Sequence, residues 1–176
     1  MPAEVTVQRA ELHEQPLLAG LMQFYQYDFS EFGPVPDEEA ANYEFGPDGF
    51  FPPYRYLPDY WRDPTRTPLV IRRGGRPAGF ALINQRSHLS GGAIEHNMAE
   101  FFVARGHRRH GVATQAVAQI LAAYPGRWEV AVVARNPAAQ AFWPRAIAAA
   151  PNVSELVRHE GDGAHWTGPI WSFVAS

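Results

Sequence analysis

The fold is decided by one stretch, Met98-Ala99-Glu100-Phe101-Phe102-Val103-Ala104-Arg105-Gly106-His107-Arg108-Arg109-His110-Gly111-Val112-Ala113-Thr114. Its first part is rich in aromatic and β-branched residues, which favour a buried strand. Its middle is a basic loop, and from Gly111 the apolar spacing becomes helical. A strand, a loop and a helix start in this order bring arginines and free backbone N–H groups together. Such an arrangement is suited to binding phosphate.

The composition is that of a folded protein. The chain has 176 residues, of which 46% are hydrophobic and 13% aromatic, and we expect a single domain over residues 1–176. No apolar run is long enough to cross a membrane, and the N-terminal residues lack the basic and apolar regions of a signal peptide. We therefore expect a cytoplasmic protein without a membrane partner.

Missing residue types exclude several chemistries. The absence of Cys excludes disulfides, thiolate metal sites and a thiol nucleophile. All 15 basic residues are Arg, which excludes a Schiff-base lysine and a P-loop lysine. No Ser lies in a Gly-x-Ser-x-Gly context, so serine hydrolase chemistry has no support.

Residue spacing predicts most of the regular elements. They are a strand over 4–10, a helix over 14–29, a short helix over 37–43, strands over 69–73, 77–84 and 93–103, a helix over 112–124, a mostly apolar central strand over 127–134, a helix over 136–149, and a closing hairpin over 153–159 and 164–174. Asn136 is the predicted N-cap of the last helix, with Pro137 at its first position. We expect Pro144 to interrupt and bend this helix, and Pro169 to mark a bulge or a sheet edge.

The segment over residues 30–67 is predicted to be largely irregular, because Gly and Pro interrupt it repeatedly. It and the end of the preceding helix are rich in Asp, Glu and aromatic residues. Two interpretations stay open: a solvated acidic loop anchored by aromatic side chains, or a wall that attracts a cationic substrate by charge and cation–π contact.

Two motifs resemble those of the GNAT superfamily of acyl-coenzyme A dependent N-acetyltransferases. Arg108-Arg109-His110-Gly111-Val112-Ala113 resembles the family signature Gln/Arg-x-x-Gly-x-Gly/Ala, and Asn136-x-x-Ala139-x-x-Phe142-Trp143 resembles a second motif on the fourth helix. The element order also matches. The resemblance implies an α+β fold with a mixed, mostly antiparallel central sheet of six to seven strands. About four helices flank this sheet, which is splayed between strands 4 and 5.

The resemblance also implies a coenzyme site for acetyl-CoA or coenzyme A. Its pyrophosphate would lie on N–H groups at the start of the helix that follows Gly111, where a Cβ would block the backbone from the phosphate. Arg108 and Arg109 would add charge-assisted hydrogen bonds. The residues that we predict to bind the coenzyme are Phe102, Val103, Ala104, Arg105, His107, Arg108, Arg109, His110, Gly111, Val112, Ala113, Thr114, Asn136, Phe142 and Trp143.

In the reaction that the resemblance implies, a primary amine attacks the thioester directly. Backbone N–H groups over 102–104 would hold the oxyanion and the pantetheine. Glu100 is our first choice of base, because it lies on that strand close to the reacting centre, and its apolar neighbours would raise its pKa. A carboxylate paired with an Arg on an adjacent strand is the plain alternative for Glu100. Glu95, His96 or a chain of waters are other candidates for the base.

Trp143 departs from the family pattern. Many members have a Tyr here that protonates the leaving thiolate, and an indole N–H is no usable acid. We expect Trp143 to pack under the coenzyme, and the proton to come from water or from a Tyr of the irregular segment. The acceptor is expected to be a small, possibly cationic amine, bound by Tyr25, Tyr27, Asp28 and Tyr54.

Other functions have weaker support. A non-catalytic acyl-CoA-binding module with a degenerate active site is the main alternative, and Trp143 is its best argument. A nucleic-acid partner is disfavoured by the net charge of −3, although the loop over 105–110 is basic. His107-x-x-His110 has no nearby carboxylate except Glu100, so we expect no metal site. A monomer and a homodimer stay open.

Overall fold

The computed structural model describes residues 3–33 and 37–176 and contains seven strands. They are β1 (Val5–Arg9), β2 (Thr67–Arg73), β3 (Arg76–Arg86), β4 (Ala93–Val103), β5 (Gly126–Ala131), β6 (Val153–Glu160) and β7 (Pro169–Ala175). Three long helices are α1 (Gln15–Ser30), α3 (Val112–Ala123) and α4 (Pro137–Ala148), and α2 (Asp37–Ala40) is a single turn. This is the predicted α+β fold, with slightly fewer long helices than expected.

All seven strands form one sheet in the order β1-β2-β3-β4-β5-β7-β6. Every neighbouring pair is antiparallel except β4 and β5, which run parallel and pair only through His96 with Trp128 and Asn97 with Glu129. Beyond Asn97 the two strands diverge, so the predicted splay between strands 4 and 5 is confirmed. Half of β4 therefore presents one backbone edge to an open gap.

Helices cover both faces of the sheet. The helical spacing of α3 buries Val112, Ala116, Val117, Ile120 and Leu121, which join the core of one face. On the other face, α1 packs Leu18 and Met22 against the sheet together with residues from the irregular segment. Burial of each large aliphatic side chain contributes about 1.5–3 kcal/mol to folding. These apolar contacts fix the helices around the gap.

The irregular segment is anchored to α1 and the sheet. The Gln23 side chain accepts a hydrogen bond from the Phe51 N–H (2.8 Å) and donates one to the Phe51 carbonyl (3.1 Å). The Trp61 indole donates to the Ala10 carbonyl at 2.9 Å, and Tyr60 is fully buried. The short helix expected over 37–43 forms as α2 followed by a 3₁₀ turn over Ala41–Tyr43. A further 3₁₀ turn over Leu57–Trp61 was not predicted, because Pro58 favours an irregular loop by sequence alone.

Two proline predictions are wrong: the interruption of the last helix at Pro144, and the bulge or sheet edge at Pro169. The α4 helix continues through Pro144 to Ala148, since the loss of a single N–H leaves the flanking hydrogen bonds in place. Pro169 is the first residue of β7, a strand that lies between β5 and β6, so it marks neither a bulge nor a sheet edge. Residues 164–168 precede the strand. The first position of a strand tolerates proline, because the ladder begins there.

Within the described ranges, no helix combines the length and apolar character needed to cross a membrane.

Candidate active site

The divergence of β4 from β5 opens a groove of about 470 Å³. It is bordered by α1, the end of β4, the loop that follows, and the first turns of α3 and α4. The predicted coenzyme residues that line it are Phe102, Val103, Arg105, Arg108, Arg109, Gly111, Val112, Ala113, Thr114, Asn136, Phe142 and Trp143. Ala104, His107 and His110 do not line it. Most of the residues that the sequence predicts to bind the coenzyme thus lie along one groove.

The loop end of the groove presents unpaired backbone donors. Gly111 is the N-cap of α3 with φ +75°, and as a glycine it offers no side chain to cap the helix. Arg109 also has a left-handed backbone, with φ +61°. In the described parts of the chain, no backbone N–H from Arg109 to Thr114 donates to a protein acceptor. Free N–H groups at the positive end of a helix form an anion-binding site, so the loop fits a pyrophosphate.

The conformation of Gly111 gives a second reason for glycine at this position. A Cβ there would lie 3.2 Å from the Gln115 side-chain nitrogen, the end of a flexible side chain that can move. The left-handed φ is the greater obstacle, since it costs an ordinary L-residue about 1–2 kcal/mol. Glycine therefore sets the shape of the loop as well as leaving room for a ligand.

The edge of β4 provides donors near the middle of the groove. The Ala104 N–H donates to the Ala78 carbonyl at 2.8 Å, so this group is already paired with the β3 side. Backbone groups alternate along a strand, which directs those of Phe102 toward β3 and those of Phe101 and Val103 toward the gap. Of the predicted range 102–104, only the backbone of Val103 thus faces the groove. The backbone of Phe101, which lies just outside that range, faces it as well.

Aromatic side chains form the wall near α4. Trp143 is 6% exposed and lies edge-on to Phe101 and Phe142, with ring centroids 5.1 and 5.3 Å away. The Asn136 side chain accepts a hydrogen bond from the Ala139 N–H at 3.0 Å, as expected of an N-cap. Asn136 therefore fixes the start of the helix that presents the aromatic wall.

Replacement of Asn136 tests this cap. We expect Asn136→Ala to lower the free energy of unfolding by about 1 kcal/mol, because the Ala139 N–H loses its acceptor. Urea denaturation monitored by circular dichroism measures the change. Asn136→Asp keeps the acceptor oxygen and serves as the matched control. Equal stability of the Ala and Asp variants would contradict the assignment.

The loop arginines bind an acid from α1. Arg105 Nε donates to Asp28 Oδ1 at 2.8 Å, and Arg108 forms an ion pair with the other oxygen of the same carboxylate. Arg108 Nε also donates to the Val103 carbonyl at 2.7 Å. Asp28 was predicted to bind a substrate, and Arg108 to bind phosphate. The structure pairs the two residues, so Asp28 ties the loop to α1 and its charge is balanced.

Glu100 lies on the α1 side of β4 between two tyrosines. Tyr25 donates a hydrogen bond to Oε2 of Glu100, and Tyr54 donates to Oε1 at 2.9 Å. Among the residues that the structure describes, no arginine forms an ion pair with Glu100. Glu100 is therefore bound by two tyrosines and not by the arginine that the alternative prediction required.

The tyrosine cluster shifts the titration of Glu100. Burial raises the pKa of Glu100, and the hydrogen bonds from Tyr25 and Tyr54 lower this pKa by less. Burial, with the nearby Glu100 charge, raises the pKa of Tyr25 and of Tyr54 well above the ordinary value. The same causes raise the pKa of Tyr43 to about 12. At neutral pH the cluster thus holds neutral phenols around a carboxyl group that binds a proton more readily than usual.

Other predicted residues lie away from this cluster. Glu95 accepts a hydrogen bond from the Arg127 N–H at 2.6 Å, and His96 Nε2 lies 3.0 Å from the Pro125 carbonyl. Both are at the paired end of β4, opposite to the gap. Tyr27 is 55% exposed and does not line the groove. The described residues contain no group of three or more potential metal ligands.

Sequence reasoning missed two further tyrosines near Glu100. The Glu100 charge contributes to the raised pKa of both Tyr43 and Tyr60. The Tyr60 hydroxyl is buried, and it has no hydrogen-bond partner among the described residues. Both tyrosines belong to the aromatic-rich irregular segment. That composition indicated aromatic anchors but gave no sign of which rings meet Glu100.

A known family matches most of this chain. The family model described as the acetyltransferase (GNAT) family matches residues 19–147. No curated protein matches the chain.

Solved structures share the fold at low sequence identity. An acetyltransferase from Thermus thermophilus is 16% identical with a TM-score of 0.66, and the match covers 100% of both chains. A PaiA N-acetyltransferase from Thermoplasma acidophilum, in complex with coenzyme A, is 5% identical with a TM-score of 0.59, over 98% of this chain and 99% of that one. A spermidine N-acetyltransferase from Vibrio cholerae, in complex with CoA and spermine, is 11% identical with a TM-score of 0.53, over 96% and 93%.

Proposed function

This chain belongs to the GNAT family of acetyltransferases, and we propose that it transfers the acetyl group of acetyl-CoA to the primary amine of a small molecule by direct attack of the amine. The observation that carries the proposal is Glu100, a carboxylate held by two tyrosine hydroxyls beside the groove. No covalent acyl-enzyme is needed, since the amine is itself the nucleophile.

Acetyl-CoA is the acyl donor of this family, and it supplies an activated acetyl group and a thiol leaving group. The residues of the groove fit it. The unpaired N–H groups over 109–114 and the Arg109 side chain would hold the pyrophosphate. The backbone of Phe101 and Val103 would orient the thioester arm along β4. Trp143, with Phe142, would provide an apolar surface for that arm.

Glu100 is the proposed base for the amine. An amine that arrives as an ammonium ion must lose a proton before it can attack. A carboxylate with a raised pKa accepts this proton more readily near neutral pH than an ordinary glutamate does. Tyr25 and Tyr54 occupy both oxygens and shield them from bulk water. Glu95 and His96 are less suited, because backbone contacts hold them at the far end of β4.

A cationic amine is the proposed acceptor. The negative charge of Glu100 and the surrounding tyrosine rings favour a positive ligand by Coulomb attraction and cation–π contact. The Vibrio cholerae structure, which contains spermine, has the same fold. Of the four residues predicted to bind the acceptor, Tyr25 and Tyr54 contact Glu100, whereas Asp28 is paired with arginines and Tyr27 is exposed.

The second candidate is a non-catalytic acyl-CoA-binding module. It is favoured by Trp143, which stands at the position of the family acid, and by the two tyrosine hydroxyls that already bind the carboxylate oxygens of Glu100. Both candidates predict coenzyme binding, and only the enzyme predicts turnover.

Binding and turnover assays separate the two. We expect calorimetric titration to show saturable acetyl-CoA binding, and thiol release to depend on an added amine, with a KM in the usual range of about 1 µM to 1 mM. The amine panel contains polyamines, amino acids, aminoglycosides and a peptide α-amine. Acetyl-CoA binding without thiol release from any of these would support the binding module and reject the enzyme.

A further inference from the structure

The two tyrosines that bind Glu100 differ in where they lie. Tyr25 lines the coenzyme groove, together with Phe102 and Val103, and Tyr54 does not. Tyr25 is held in place by Phe29, Phe80 and Phe102, with ring centroids 4.6, 5.8 and 6.0 Å away. Its phenol therefore spans from the Glu100 carboxylate to the groove wall.

Glu100 is half-buried and does not line the groove, and each of its carboxylate oxygens accepts a hydrogen bond from a tyrosine hydroxyl. A proton that moves between Glu100 and a reactant in the groove thus has one bonded route in the described structure, through Tyr25. Trp143, which faces the groove, has an indole N–H that does not ionise in this pH range.

We propose that Tyr25 relays the proton in both directions, from the amine nitrogen to Glu100 and from Glu100 to the departing sulfur. This inference rests on the proposed function and deepens it. One tyrosine–glutamate pair would then do the work of a separate base and a separate acid. It also identifies the proton donor that the tryptophan at position 143 leaves unassigned.

The transfers balance for an amine that has already lost its ammonium proton, which Glu100 takes up and releases to solvent before the attack. As the C–N bond forms and the N–H bond breaks, Tyr25 Oη accepts the amine proton and passes its own proton to Glu100 Oε2. As the C–S bond breaks with both electrons on sulfur, Tyr25 gives its proton to sulfur and regains one from Glu100. The protein ends in its starting protonation state, and nothing is oxidised or reduced.

Electrostatics supports a relay in which Tyr25 stays neutral. Burial and the Glu100 charge hold the pKa of Tyr25 well above its ordinary value. A resting phenolate beside a carboxylate is therefore unfavourable. The phenol can only release one proton as it receives another, which is the behaviour that the relay requires.

A matched pair of variants tests the relay. Tyr25→Phe and Tyr54→Phe each remove one hydroxyl from Glu100 and keep the aromatic ring, so they perturb the carboxylate alike. Because only Tyr25 lines the groove, we expect Tyr25→Phe to lower kcat by about 100-fold or more, and Tyr54→Phe by less than about 10-fold. Thermal melting checks that both variants fold.

Two further measurements exclude a purely structural effect. In the coenzyme-free proteins, carboxyl NMR should show the Glu100 pKa raised in both variants, since each loses a hydrogen bond that lowers it. With an acetyl thioester of p-nitrothiophenol, whose thiolate leaves without a proton, the deficit of Tyr25→Phe should shrink. A deficit of equal size with both donors would refute the return of the proton by Tyr25.

The outcomes of these experiments distinguish failure of the relay from failure of the proposed acetyltransferase function. If the wild type transfers acetyl groups and Tyr25→Phe keeps its kcat within about threefold, the relay is refuted and the proposed function stands. Equal losses in Tyr25→Phe and Tyr54→Phe also refute the relay. If the wild type transfers to no amine, the proposed function fails, and the relay fails with it.

Discussion

Gly111→Glu abolishes coenzyme binding. Gly111 is the N-cap of α3 with φ +75°, and it borders the unpaired N–H groups proposed to hold the pyrophosphate. A side chain costs about 1–2 kcal/mol in this backbone conformation. A carboxylate about 5 Å from a phosphate charge adds about 3 kcal/mol of repulsion at an effective dielectric constant of 20. Calorimetric titration should therefore show affinity reduced by more than 100-fold.

The same substitution should leave the fold intact. A negative charge at the N-terminus of a helix is favourable, so the Glu carboxylate offsets part of the backbone strain. The variant thus loses the ligand by occupying its place with a charge of the same sign. An unchanged circular dichroism spectrum, with a melting temperature close to that of the wild type, would show that the loss of binding is local.

Two control variants separate the contribution of the added charge from that of backbone strain. Gly106→Glu places the same charge in the same loop, at a glycine without a left-handed φ and with no atom within 4 Å of an added Cβ. We expect it to bind the coenzyme far better than Gly111→Glu. Gly111→Ala adds backbone strain without charge, and should weaken binding by about 5–30-fold. Wild-type affinity in Gly111→Glu would show that the phosphate lies elsewhere.

Much of the fold could be predicted from sequence because its signals are local. β4 spans Ala93–Val103, the predicted range, since its pattern is bounded by Gly91-Gly92 and by the basic loop. α3 begins directly after Gly111 for the same reason. β5 is shorter than predicted and ends at Ala131, although the apolar run continues. The Val132 N–H still donates to the Pro169 carbonyl at 3.0 Å, in the register of the β5–β7 ladder. Pro169 has no N–H to return a bond, and the Val132 carbonyl accepts from the Trp166 indole at 3.1 Å instead, so the ladder ends there.

The phosphate loop and the surroundings of Glu100 also differed in how far the sequence could predict them. The phosphate loop is contiguous, so six residues of sequence contain its glycine, its arginines and its helix start. The partners of Glu100 are distant in sequence: Tyr25 is 75 residues away and Tyr54 is 46. Asp28 and Arg108 are 80 residues apart, and their ion pair was not predicted from the sequence. No spacing rule gives such contacts, because the tertiary fold alone brings these side chains together.

Glu100→Gln lowers kcat/KM by about 100- to 10,000-fold, the usual contribution of general base catalysis. Gln has nearly the same shape: its oxygen can accept from one of the two tyrosines and its NH2 group can donate to the other hydroxyl, but it cannot accept a proton. In the wild type, kcat/KM should rise with pH through the Glu100 pKa, which burial raises above its ordinary value, since the carboxylate is the active form. This rise of kcat/KM with pH should be absent in Glu100→Gln. Steady-state kinetics from pH 5 to 9, with one amine, measures both changes.

Stability offers a readout of the same group that is independent of turnover. Because the folded-state pKa of Glu100 is raised, its contribution to stability is fully present below the unfolded-state pKa and is lost as pH rises through the folded value. Glu100→Gln should therefore weaken the decline in unfolding free energy over that range while it removes activity. Glu95→Gln is the matched control, since Glu95 lies on the same strand and its carboxylate accepts a hydrogen bond from the Arg127 backbone N–H instead. Equal loss of activity in the two variants would show that Glu100 is not the base. Loss of activity in Glu100→Gln alone, together with the altered pH dependence of stability, would identify the carboxyl group between the two tyrosines as the base.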